Sequence, residues 1–337
     1  MSRYQRIGLI GHPVAHSRSP QMQQAALDAL GIAAHYELWE TPPDALAARI
    51  ATLREPGYLG ANVTIPYKAA VVPLLDEIAP QALDAAGAVN TITRVATLQG
   101  VRLIGHNTDI LALVHIIKEQ GISTSLHAET PTQAGLQLAD SDTQKEYLRS
   151  GEWRMLVLGA GGAAQAALGA ARLCEMTPWV AARRIAEAQA TLTRSGALRP
   201  TSPGVAVNHH PLAGRALDLR DANALADALR QTRLLINTTP VGMAGTDTED
   251  DTPLPVELLR WLPADALVVD MVYNPPETAL VRAARALGRR ALGGVAMLLY
   301  QGAAAFTLWT GQPAPVAVMR AALLASLGQQ AHDEQTT

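Results

Sequence analysis

Short apolar runs bounded by turn residues alternate along this chain with longer stretches whose apolar positions recur at helical spacing. That alternation argues for an α/β architecture. Residues 6–10 (RIGLI) read as a first strand. Ser19-Pro20 then marks a helix start, with Ser19 as N-cap and Pro20 as the first helical residue. The helix runs through QMQQAALDAL and ends at Gly31. Strands are predicted over 35–39, 58–65, 89–95 and 101–104, the last two joined by a turn near Gln99-Gly100. Helices are predicted over 43–53 and 108–119, the second closed by Gly121.

Residues 122–150 break the pattern. They are polar and carry no strong apolar period. A stretch of this kind is uncommon inside a compact domain, so it reads as an insertion between two blocks. The second block restarts at 153–158 (WRMLVL), a buried-type strand, followed by a Gly-rich turn and a helix over 163–173. Strands over 178–182, 205–207, 233–236 and 267–270 follow, separated by helices over 185–193, 223–230 and 278–287. This outlines a parallel, doubly wound sheet. Helical runs over 295–309 and 315–327 come last.

Composition narrows the function classes. The 337 residues suit one large domain or two medium ones. Hydrophobic residues make up 48% and charged ones 17%, enough for a sizeable core. The net charge of −3 gives no broad basic field for nucleic acid. Cys174 is the one cysteine, so an internal disulfide and a cysteine metal cluster are excluded. The first apolar run is too short for a signal peptide, and none reaches the ~18 residues of a membrane span. A soluble, cytoplasmic protein is expected, with partners that are neither membrane nor nucleic acid.

The stretch VLGAGGAAQAAL is a strand, a Gly-rich turn and a helix. Gly159, Gly161 and Ala164 have the G-x-G-x-x-G/A spacing, with Gly162 and Ala163 between the last two. Gly159 permits the tight turn, Gly161 lets a pyrophosphate approach the backbone, and Ala164 allows close helix–strand packing. Free N–H groups at the helix start face the phosphates. The alternative is a tight turn with no ligand. About 20 residues past the first Gly, an NAD enzyme offers Asp or Glu to the ribose. Here Arg183 and Arg184 take that place, and no acid appears before Glu187. Guanidinium groups suit a 2′-phosphate, which favours NADP over NAD. Two solvated arginines at a helix start are the alternative.

Polar clusters fall at predicted strand ends of the first block, where sites gather. GHPVAHSRSP places Ser17 and Ser19 beside a helix N-terminus, a cradle for a carboxylate. NVTIPYK supplies Asn62, Thr64 and Lys68; GAVNTI supplies Asn90 and Thr91; IGHNTD supplies Asn107, Thr108 and Asp109. A Lys and an Asp brought together in a cleft suit proton transfer to or from an alcohol, with the carboxylate orienting the amine. The dinucleotide then takes or gives the hydride.

With these motifs in place, the chain resembles the shikimate dehydrogenase family, which includes quinate/shikimate dehydrogenases. HSRSP, NVTIPYK, AGAVNTI, GHNTD, LGAGGAA, NTTPVGM, DMVYNPPETAL and MLLYQGAAAFTLWTG occur in the family's order over nearly the whole chain. The resemblance implies an N-terminal α/β substrate-binding domain, a Rossmann-type NADP domain, and a cleft between them. The first would span 1–109, with helices of about 295–330 returning to it, and the second 110–294. It implies Lys68 and Asp109 as the catalytic pair. Ser17 and Ser19 would hold the substrate carboxylate, and Thr64, Asn90 and Gln301 the ring hydroxyls and pocket. Tyr273 would lie near the substrate. Thr238, Pro240, Met243 and Gly294 would lie on the nicotinamide side. The implied activity is reversible, NADP-dependent reduction of 3-dehydroshikimate to shikimate, by a monomer or homodimer.

The chain departs from the family pattern at four places. Met22-Gln23-Gln24 replaces MHN. NTDGxG becomes NTDILA, so Ile110 and Ala112 replace two glycines, which is expected to affect cleft width or domain closure. NRT becomes Ala182-Arg183-Arg184. The polar stretch 122–150 stands where members have a much shorter link. These departures keep open a quinate/shikimate or aminoshikimate-type paralogue using NAD(P). A sensor of the same ligands without catalysis is the alternative from another class, and retention of Lys68 and Asp109 argues against it.

Overall fold

The computed structural model describes residues 4–83, 87–122, 153–197 and 214–328. Two six-stranded sheets organise these residues. The first comprises β1 (Gln5–Gly11), β2 (Ala34–Glu40), β3 (Tyr58–Val63), β4 (Glu77–Ile78), β5 (Thr91–Thr97) and β6 (Gly100–His106), in the order β2-β1-β3-β5-β6-β4. β1 runs parallel to β2 and β3, and β5 lies antiparallel to β3 and β6. The second sheet comprises β7 (Arg154–Leu158), β8 (Thr177–Ala182), β9 (Arg215–Asp218), β10 (Leu234–Asn237), β11 (Leu267–Asp270) and β12 (Arg290–Leu292). All its pairings are parallel, in the order β12-β11-β10-β7-β8-β9. The chain reverses its direction of travel across the sheet between β7 and β10, where open α/β sheets bind ligands.

The helices are α1 (Ser19–Ala29), α2 (Leu46–Thr52), α3 (Pro80–Leu83), α4 (Thr108–Glu119), α5 (Gly162–Leu173), α6 (Ile185–Arg194), α7 (Ala222–Leu229), α8 (Ala279–Ala286), α9 (Val295–Thr310) and α10 (Val316–Ser326). α1, α9 and α10 bury Met22, Leu27, Phe306, Met319 and Leu323 together with Ile7 and Leu9 of β1. The last two helices therefore pack back on the first sheet. α4 begins at an Asn107 cap, whose side chain accepts from Ile110 N at 3.1 Å. Its Ile110, Leu113, Ile116 and Ile117 join Met155, Val157 and Ala164 in the core of the second sheet. Each such side chain contributes about 1.5–3 kcal/mol by leaving water. α4 thus starts at the first sheet and packs against the second.

The structure differs from the sequence reading in specific ways. α1 starts at Ser19 itself, and Arg18 is its N-cap with no side-chain capping bond. Ser17 Oγ accepts from Ser19 N at 3.2 Å, so the turn before the helix takes over part of the capping role given to Ser19. β3 ends at Val63 rather than 65. The first sheet is mixed, because β5 enters antiparallel. β4, β12 and α3 are too short to show a period. β9 occupies 215–218, and the strand expected over 205–207 lies outside the described residues, as does 123–150 of the polar stretch. Among the described residues, no helix is long and apolar enough to cross a membrane.

Candidate active site

The loops at the carboxyl ends of β1, β3, β7, β10 and β11 carry most of the candidate residues. Lys68 follows β3 and Asp109 opens α4. Lys68 Nζ donates to Asp109 Oδ2 at 2.6 Å. The two side chains are 21% and 9% exposed, so the pair is largely shielded yet reachable. Two backbone hydrogen bonds and one from a backbone N–H to a side chain hold the segments that carry it. Val89 N donates to Lys68 O at 2.8 Å. Asn90 N donates to His106 O at 3.0 Å, and Asn90 Oδ1 accepts from Thr108 N at 2.7 Å.

A buried polar seam runs from this point along the first sheet. Asn62 Nδ2 donates to Asn90 O at 3.2 Å and to Thr91 Oγ1 at 3.0 Å. Tyr36 OH donates to Asn62 Oδ1 at 2.7 Å. Burial pushes the Tyr36 hydroxyl's pKa up, and a hydrogen bond with Ser19 opposes that shift. Ser19 is buried and Ser17 half-buried beside it. Thr108 Oγ1 lies 3.5 Å from Gln301 Oε1, which brings α9 to the same seam. Thr64 is admitted beside β1 because Gly11 has no side chain: a Cβ there would lie 2.4 Å from Thr64 Cγ2. Hydrogen bonds thus link Asn90 and Gln301 to Thr108 beside Asp109, and Tyr36 joins Ser19 to Asn62 of the same seam.

The second sheet supplies the dinucleotide residues. Gly159 follows β7, with φ at +109°, where a Cβ would also stand 2.6 Å from Thr238 Oγ1. Thr238 Oγ1 donates to Leu158 O at 2.7 Å, which joins the β10 loop to the turn. Gly161 caps α5 without a side-chain bond, and a Cβ on it would meet nothing within 4 Å. Gly162 and Ala163 open the helix and Ala164 is fully buried under the turn. An open glycine turn at a helix start, where the first amides have no intrahelical partner, fits a pyrophosphate. A Cβ placed on Gly162 would lie 4.0 Å from Lys68 Cδ, so the turn faces the lysine directly.

Arg183 and Arg184 are exposed at the end of β8. Arg184 pairs with Glu187, whereas no ion pair involves Arg183 among the described residues. Pro240 and Met243 are exposed in the β10 loop. Gly294 N donates to Val272 O at 2.9 Å, and a Cβ at Gly294 would lie 2.5 Å from Met271 O. That close approach sets α9 beside the loop of Tyr273. Burial pushes the Tyr273 hydroxyl up, and the charge of Arg18 opposes the shift. Arg18, between the two serines, is near enough for its charge to act on Tyr273, and its Nε is buried without a hydrogen-bond partner among the described residues.

Other residues support the site without touching the Lys68–Asp109 contact, and the sequence reading gave Asp270 no role. Asp270 is fully buried at the end of β11. It accepts from Asn237 Nδ2 at 2.9 Å, Val272 N at 3.0 Å and Thr278 Oγ1 at 2.7 Å, which fastens the β10 and β11 loops together. Burial raises its pKa against these donors. Ile110 and Ala112 are 0% and 1% exposed and pack into the apolar core. Gln23 donates from Nε2 to Gly302 O at 2.9 Å, tying α1 to α9 beside Gln301.

Comparison with known proteins decides the family. Residues 9–92 match the shikimate dehydrogenase substrate binding domain, and residues 294–324 the shikimate 5'-dehydrogenase C-terminal domain. The shikimate dehydrogenase (NADP(+)) of Symbiobacterium thermophilum is 39% identical over 328 residues, covering 96% of this chain and 95% of that one. The chain belongs to the shikimate dehydrogenase family. The shikimate 5-dehydrogenase of Thermus thermophilus, solved in complex with NADP(H) and shikimate, superposes with a TM-score of 0.72. It is 33% identical, covering 96% of this chain and 100% of the other. A quinate dehydrogenase from Corynebacterium glutamicum, solved in complex with NAD, gives a TM-score of 0.72 at 28% identity and covers 95% and 99%. Membership accounts for a two-sheet chain whose glycine turn faces a Lys–Asp pair.

Proposed function

We propose that this chain is an NADP-dependent shikimate dehydrogenase, which reversibly reduces 3-dehydroshikimate to shikimate. The observation that carries this reading is the 2.6 Å Lys68–Asp109 contact beneath the open glycine turn. A dinucleotide bound on the turn supplies or accepts the hydride. The protein's residues bind the ring, orient it and move the proton.

Ketone reduction places negative charge on the carbonyl oxygen, and Lys68 Nζ is the acid that protonates it. In the reverse direction Lys68 is the base. Asp109 holds the ammonium in place and balances its charge. Ser17 and Ser19, at the start of α1, receive the substrate carboxylate with Tyr273 opposite. Asn90 Oδ1 is occupied by Thr108 N, which leaves its Nδ2 as the donor for a ring hydroxyl. Thr64 and Gln301 complete the ring contacts. Gly159, Gly161, Gly162, Ala163 and Ala164 cradle the pyrophosphate, and Arg183 takes the 2′-phosphate with Arg184 beside it. Thr238, Pro240, Met243 and Gly294 border the nicotinamide. The functional division falls near Asp109 and Gly294, with α9 and α10 serving the substrate side.

Initial rates on shikimate and quinate, each with NADP and with NAD, test this reading. The highest kcat/KM is expected for shikimate with NADP. A higher value for quinate or for NAD contradicts it.

A further inference from the structure

The glycine turn is fastened from behind by a residue that none of the motifs includes. Thr191 on α6 is fully buried. Its Oγ1 donates to Ala160 O, inside the turn, at 3.0 Å. Arg194 Nη2 donates to the same Oγ1 at 3.0 Å. An oxygen that accepts from arginine has its single proton left for the Ala160 carbonyl. Gln165, in the first turn of α5, adds a longer contact from Nε2 to Thr191 O at 3.4 Å. Its Oε1 is buried with no hydrogen-bond partner among the described residues.

Peptide geometry gives the contact a consequence. In a planar trans peptide the C=O and the following N–H point in opposite directions. A carbonyl of Ala160 drawn toward α6 turns Gly161 N–H away from α6. The space over Gly161 is open. We infer that Thr191 is a positioning residue for a dinucleotide pyrophosphate: it anchors the Ala160 carbonyl so that Gly161 N–H is aimed at the phosphates before they arrive. The inference rests on the dinucleotide reading above. It differs from the action of Arg183, because a pyrophosphate is common to NADP and NAD while a 2′-phosphate is not.

The test uses the full chain and isothermal titration with NADP, NAD and adenosine 2′-monophosphate, which lacks the pyrophosphate. Thr191→Val keeps the side-chain volume and removes the hydroxyl. It is expected to weaken NADP and NAD alike by about tenfold, the scale of one lost hydrogen bond. Adenosine 2′-monophosphate is expected to bind as in the unsubstituted chain, and Thr191→Ser to restore both dinucleotides. Unchanged NADP affinity in T191V, or equal weakening of adenosine 2′-monophosphate, overturns the inference. So does T191S failing to restore binding. Should T191V not fold, Arg194→Met at an exposed position reads the same device. It is expected to weaken NADP by about threefold without affecting adenosine 2′-monophosphate, and no change overturns the inference. An unsubstituted chain that binds neither dinucleotide overturns the underlying reading instead.

Discussion

The side-chain oxygen of Asn90 accepts a 2.7 Å hydrogen bond from the backbone N–H of Thr108. Thr108 immediately precedes Asp109, and Val89, immediately before Asn90, donates to the Lys68 carbonyl at 2.8 Å. Two consecutive residues ahead of β5 therefore hold both partners of the proposed proton-transfer pair. Asn90 is 3% exposed, so truncating it leaves buried donors without acceptors. Asn90→Ala is expected to lower stability by about 1–3 kcal/mol and to reduce kcat as well. A urea titration with parallel rate measurements checks this; an unchanged midpoint contradicts it.

Asp109 acts on the reaction through Lys68, from whose Nζ it accepts at 2.6 Å. Asp109→Asn keeps its shape and removes its charge. Turnover is expected to fall by about a hundredfold, within the usual range for disrupted general acid–base catalysis. NADP affinity is expected to be retained. Steady-state rates and NADP titration separate the two effects, and a loss confined to NADP binding contradicts the assignment.

The two arginines after β8 are not equivalent. Arg184 is engaged by Glu187, and Arg183 has no ion-pair partner among the described residues. Arg183→Leu is expected to raise the KM for NADP by about tenfold or more while the KM for NAD stays constant, since a charge-assisted phosphate contact is lost. Arg184→Leu is expected to have the smaller effect. Equal effects of both substitutions on NADP and NAD contradict the 2′-phosphate role.

Next to that strand end, Arg220 donates to both oxygens of Asp218. Together with the Arg220 backbone N–H, it lowers the Asp218 pKa from 3.8 to about 2. A carboxylate lowered on folding contributes stability above its unfolded value and loses it as pH falls through its folded value. The window is therefore about pH 4 down to about 2. Arg220→Met is expected to move the Asp218 midpoint back toward 3.8, read from its carboxyl carbon by NMR. It is expected to shrink this acid-side contribution. A midpoint that stays near 2 in the variant shows that the backbone donor alone is sufficient.

Much of the fold could be read from local signals. The run over 108–119 coincides with α4 because an Asn cap, an apolar stripe and Gly121 all agree. The strand–glycine–helix unit at 154–173 is similarly self-contained. β4 and β12 were missed because two or three residues cannot display a period. At the site, motif residues could be recognised, but their supports could not. Tyr36 and Thr191 look like ordinary strand and helix residues until the fold brings their partners to them. Ile110 and Ala112, singled out for their position next to Asp109, both lie in the apolar core that α4 shares with the second sheet, a burial that a spacing of two on a helix does not announce.

In the proposed reaction Lys68 moves the proton for a hydride transfer between shikimate and NADP. The most direct measurement is NADPH formation from shikimate, followed by absorbance, for the unsubstituted chain and for Lys68→Met, with NADP affinity measured on both. Turnover is expected in the unsubstituted chain, with a loss of about a hundredfold or more in K68M and NADP binding within about twofold between them. Undiminished turnover in K68M, or no NADPH formation by the unsubstituted chain, would contradict it.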